Sequence, residues 1–185
     1  MSTRSARLAT ALVGGAVLGA TALAAPAAAA PGCSTAWGST LETASGPGTG
    51  TVDEIRTGQH ACFDRIVVDV DGAHGDDIGY RVEYVDQVTH DGSGAAIPLR
   101  GNADLRIVVV APAHEGGTAT YDPADDAEAE NVAGYRSLRQ VAWAGSAEGV
   151  SNVGVGVRAR LPFRVTVLDG PGDGARVVVD VAHTW

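Results

Sequence analysis

His60, Asp64 and Arg65 sit together in the stretch TGQHACFDRIVVDVDG (57–72), and His183 follows a similar stretch, RVVVDVAH, near the far end of the chain. Residues of these types support two kinds of chemistry. An imidazole beside a carboxylate can take and return a proton, but catalysis also needs a third group and a pocket for the substrate. A guanidinium reads planar carboxylates through paired, charge-assisted hydrogen bonds. The same residues also suit a plainer role, as ion pairs and hydrogen bonds that cap strand ends. Sequence leaves both roles open.

Other signatures narrow the field. The five histidines, His60, His74, His90, His114 and His183, form neither an HxH nor an HExxH pair, and no G-x-S-x-G elbow occurs. All 13 basic residues are Arg, which removes a Schiff-base lysine and a P-loop. DVDGAHGDD (Asp69–Asp77) gathers carboxylates of the kind Ca²⁺ takes from a flexible loop. It lacks the spacing and terminal Glu of an EF-hand, and Asp and Gly are also ordinary turn residues. No catalytic residue, metal or cofactor is expected.

These side chains need strands to position them. In 65–70, apolar Ile66, Val68 and Val70 alternate with Arg65 and Asp69, the period of two of a half-buried strand. Further strands are expected at Val52–Thr57, Cys62–Asp71, within GYRVEYVDQV (79–88), and at Ala96–Arg100 and Leu105–Val109. Four more follow at Leu138–Gly145, Val150–Arg158, Leu161–Gly170 and Ala175–His183. HDGSGAA reads as a hairpin turn, and one helical turn is expected within 123–130 of an acidic surface excursion (118–134). The fold class is therefore all-β, a β-sandwich or small barrel of short strands. RIVVDV (65–70) and RVVVDV (176–181) suggest an internal two-fold repeat with two halves facing each other.

The first residues carry Arg4 and Arg7, then an uncharged Ala/Leu/Val/Gly run and an A-x-A end at Ala27–Ala29. This is the pattern of a secretory signal peptide over 1–29, with Ala30 first in the mature chain and an arm or linker over 30–50 preceding a domain over 51–185. Loss of the signal leaves 11 Arg against 22 Asp plus Glu, a formal charge of −11. Nucleic acid is an unsuitable partner for so acidic a chain, and no stable membrane insertion is expected after cleavage. In an exported chain Cys33 and Cys62 are expected to form a disulfide; lipidation at Cys33 is the alternative, although Ala30-Pro31-Gly32 lacks the aliphatic position of a lipobox. Trp37 is expected to pack beside that bridge.

TGQHACFDR, LRQVAWAG, LPFRV and DVAHTW, set in order among GYRVEYV, the GSG turn and IPLRGNADLRIVV, resemble the AMIN-like domain of exported proteins and lipoproteins of high-GC Gram-positive bacteria. The resemblance runs from Trp37 to Trp185, and Ala147 departs from it where a bulky aromatic is expected before Glu148. It implies kinship with the AMIN domain, a β-sandwich with two-fold character that directs proteins to the envelope, in several cases by binding peptidoglycan. The function so implied is that of a secreted, non-enzymatic binding module associated with the cell wall, with peptidoglycan as first ligand. A secreted protein–protein interaction module is the second reading, with an envelope protein as partner, and a small cell-wall hydrolase the third. The expected contact surface is a polar strip of Arg65, Asp69, Arg176 and Asp180 with His60 and His183 at its ends. Trp143 or Trp185 would lend an aromatic face for a sugar ring.

Overall fold

The computed structural model describes Cys33, residues 36–170 and residues 172–185. The expected signal segment, its cleavage site and any modification upstream of Cys33 lie outside the described residues. The strands, in chain order, are β1 (Glu42–Ala44), β2 (Thr51–Gln59), β3 (Phe63–Asp71), β4 (Tyr80–Val85), β5 (Val88–Thr89), β6 (Ala96–Ile97) and β7 (Ala103–Val109). They continue as β8 (His114–Glu115), β9 (Thr118–Ala119), β10 (Leu138–Ala147), β11 (Val150–Val157), β12 (Phe163–Asp169) and β13 (Ala175–Ala182).

Two antiparallel sheets pack face to face as a β-sandwich: a five-stranded sheet in the order β1-β4-β7-β11-β10 and a four-stranded sheet in the order β12-β13-β3-β2. The small hairpins β5-β6 and β8-β9 sit outside them. The expected alternation is what builds the core. Ile66, Val68 and Val70 of β3 and Val177, Val179 and Val181 of β13 turn inward against Val82, Leu105, Ile107, Val153 and Val155 of the other sheet. Each such side chain contributes about 1.5–3 kcal/mol when fully removed from water. Phe163, the largest fully buried side chain, opens β12.

Three expectations change in detail. The strand expected at Ala96–Arg100 closes after Ile97, and the helical turn of the acidic excursion is a 3-10 turn, Asp126–Glu128, capped by Asp125 Oδ1 on the Ala127 N–H at 2.9 Å. In its described part, the segment expected as a loose arm is bound to both sheets. Glu42–Ala44 pairs with β4, Gly38 bridges Phe163, and the Gly48 N–H donates to the Asp77 carbonyl at 3.0 Å. The approach requires glycine at Gly46, where a Cβ would lie 2.5 Å from the Asp77 carbonyl oxygen.

Candidate functional site

The sister strands do meet, but side by side in one sheet rather than across the core. β3 and β13 pair antiparallel with Arg65 opposite Asp180 and Asp69 opposite Arg176. Since Arg65 corresponds to Arg176 in the repeat and Asp69 to Asp180, this register exchanges equivalent residues about a local two-fold at the Val67–Val178 pair. The hairpin partners β2 and β12 lie on the two flanks, so the two-fold extends over the whole four-stranded sheet. Its outer face therefore carries rows of side chains across neighbouring strands: Arg164, Asp180 and Arg65 in one, Leu168, Arg176, Asp69 and Glu54 in another.

The ion pairs break that symmetry. Arg65 donates from Nε and Nη2 to the two oxygens of Asp180 at 2.6 and 2.9 Å. Arg164, from β12, donates from Nε and Nη2 to Asp180 Oδ2 at 3.0 and 2.8 Å. The two guanidiniums roof over Asp180, which is only 1 % exposed although it lies on the outer face. The bond to Asp180 raises the Arg65 pKa further. At the related position Asp69 instead takes Arg56 of β2, with Nε at 2.8 Å and Nη2 at 2.7 Å, while Arg176 donates to the Asp169 carbonyl at 2.8 Å. The expected strip thus resolves into an arginine-rich end and an acidic end, where burial and then Asp69 push up the Asp53 carboxyl.

The arginine-rich end rests on aromatic rings. The Arg164 guanidinium carbon lies 4.3 Å from the centre of Trp37 and 5.7 Å from that of Phe63; the Arg65 carbon lies 5.2 Å from Phe63. His60 stacks on Phe63 at 4.5 Å. Trp37 arrives from the N-terminal segment, which the Cys33–Cys62 disulfide (S–S 2.00 Å) ties to the start of β3. Arg160 continues the tract, donating to the Ser39 carbonyl at 2.9 Å, and the Trp185 indole N–H donates to the Arg160 carbonyl at 3.0 Å. Trp185 is 72 % exposed.

Two expected site residues lie elsewhere. His183, one residue past β13, keeps the inward parity of Val177, Val179 and Val181 and is buried, with Nε2 3.0 Å from Asp64 Oδ1. Asp64 is fully buried and also accepts the Ser137 N–H at 2.6 Å and the Leu138 N–H at 3.2 Å. This is the strand-end lock left open by the sequence, joining β3, the entry to β10 and the chain terminus. The cavity of about 220 Å³ over it is lined by Gln59, His60, Ala61, Asp64, Arg136 and His183, a set without a hydroxyl or thiol nucleophile. Trp143 lies on β10 of the other sheet, buried edge-to-face against Tyr121 at 5.0 Å and forming the floor of a cavity of about 550 Å³ with Asp122, Asp125 and Asp126 on its wall. It therefore cannot share a ligand contact with the strip's side chains on the opposite sheet.

Among the described residues no three His, Cys, Asp or Glu side chains converge as cation ligands. In the Asp69–Asp77 loop, Asp69 is committed to Arg56 and the Gly75 N–H donates to Asp169 Oδ1 at 2.9 Å. Sequence reasoning missed Arg164. Its alternation with Phe163 and Val165 in LPFRV signals an outward polar residue, but the strand beside which it falls is set by the fold. A family model described as the AMIN-like domain matches residues 50–183. No curated protein and no solved structure matches the chain.

Proposed function

This chain belongs to the AMIN-like domain family, and on that premise we propose that it is a secreted, non-catalytic binding module of the cell envelope with peptidoglycan as its ligand. The family match, covering nearly the whole sandwich, carries the reading. Two further features support it. A disulfide persists in the oxidising space outside the membrane, and among the described residues no helix is long and apolar enough to cross a membrane. The contact surface in this reading is the outer face of the four-stranded sheet, with Arg65 and Arg176 as polar contacts and Trp185 as the exposed aromatic. A hydrolase has less support, because the Asp64–His183 pair is enclosed and spent on holding three segments together.

Fractionation of the producing cells tests the reading. The protein is expected in the wall fraction and the medium, with an intact mass that starts at Ala30 and both thiols oxidised. Recovery from the cytosol, or a mass that retains residues 1–29, contradicts it. Diacylglycerol on Cys33 would contradict both the disulfide and the proposed free mature chain.

A further inference from the structure

We propose that Arg65 and Arg164, held by Asp180 and backed by Trp37 and Phe63, form a binding site for a carboxylate carried on a wall glycopeptide. The proposal rests on the envelope reading and names the site and the ligand chemistry.

A guanidinium has five N–H donors in a fixed fork. Arg65 and Arg164 each commit two to Asp180, and their other donors have no partner among the described residues. Two guanidiniums sharing one carboxylate also leave one positive charge uncompensated. The side chains remain accessible, Arg65 at 31 % and Arg164 at 44 %, whereas that of Asp180 is 2 % exposed. The carboxylate is thus hidden while free donor capacity and charge stay at the surface.

Long arginine side chains ordinarily lose considerable freedom on binding. Here Asp180 fixes both forks from below, and the Trp37 ring lies against Arg164 at 4.3 Å. That contact adds a cation–π attraction and keeps water off one face of the guanidinium. The ordering cost is met in the free protein, which is the condition for a useful recognition site.

Charge selects the ligand. The local excess is a single positive charge on a mature chain whose formal charge is −11. A densely charged phosphate polymer would be repelled by most of this surface, whereas isolated carboxylates on an otherwise neutral glycan would not. Beyond Arg164 the tract continues through Ser39 and Arg160 to the exposed Trp185, whose indole N–H is already engaged and whose ring offers an apolar face to a sugar.

The test is sedimentation of the oxidised 30–185 protein with three wall preparations: untreated, carboxyl-amidated, and stripped of phosphate polymers. Amidation is expected to weaken binding by about tenfold or more, the loss of charge-assisted hydrogen bonds, and phosphate removal to leave it unchanged. The R65Q/R164Q/D180N variant replaces the three charges with neutral amides and should show the same loss on untreated walls while still folding, as read from its thermal transition. R65K/R164K keeps the charge without the fork and should also bind weakly, and W37A should bind more weakly than wild type. Full binding to amidated walls, full binding by the amide or lysine variants, or loss only on phosphate removal would overturn the site. Should the amide variant unfold, the amidation and W37A results decide. Wild-type protein that ignores untreated walls refutes the envelope reading itself, whereas binding indifferent to amidation and to these side chains refutes this site alone.

Discussion

At the scale of single residues, buried charge is where this protein is most sensitive. Asp64 is buried, accepts hydrogen bonds from the Ser137 and Leu138 amides and contacts the buried His183. Asp64→Ala removes the acceptor of both buried N–H groups and is expected to cost about 2–4 kcal/mol, read from the urea midpoint. An unchanged midpoint would show that the lock is dispensable. On the surface, Glu83 sits between Arg81 and Arg106, and the bond from Arg81 holds its carboxyl at about 2. A lowered carboxylate pKa stabilises the fold where the group is ionised in both states. The contribution is therefore complete above about pH 4.5 and is lost as pH falls toward 2. Glu83→Gln should flatten that part of the stability profile and leave neutral pH less stable; a profile identical to wild type would contradict the assignment.

At the scale of elements, the disulfide does two jobs. Closing a loop with a sequence separation of 29 gives about 3–4 kcal/mol in the chain-entropy picture. It also anchors the segment that delivers Trp37 to Arg164 and Gly38 to Phe163. The C33S/C62S protein is accordingly expected to lose about 2–5 kcal/mol of stability and, below its Tm, to bind walls more weakly than wild type. Stability lost without any change in binding would separate the bridge from the surface. Much of this level was legible in the sequence. Alternation in RIVVDV, GYRVEYV and RVVVDV is a local signal, because successive residues of a strand face opposite sides whatever the strand pairs with. Pairing is not local. That Arg164 flanks Asp180, and that Arg56 rather than Arg176 takes Asp69, depends on which strands become neighbours. The expected place of His183 at the end of the outward strip conflicts with that same alternation: position 183 shares the inward parity of Val177, Val179 and Val181, and the pairing continues there through the His183 N–H on the Cys62 carbonyl. Trp143 carries no sequence mark that distinguishes an inward ring from one offered to a sugar.

At the scale of the whole molecule, the described residues form an acidic sandwich with an arginine-rich, aromatic tract across the end of a sheet. The internal repeat makes this economical. One strand motif used twice places an Arg and an Asp on each side of the Val67–Val178 axis, and different flanking strands then turn one pair toward positive charge and the other toward negative. A tract of this kind is screened by salt, so association with the wall should weaken as ionic strength rises, without disappearing where aromatic contact remains. The most direct measurement of the central claim is sedimentation of purified, oxidised 30–185 protein with untreated insoluble cell wall at physiological salt. The protein is expected to leave the supernatant in a saturable manner with added wall. Protein that stays in the supernatant at every wall concentration, while folded by its thermal transition, would contradict it.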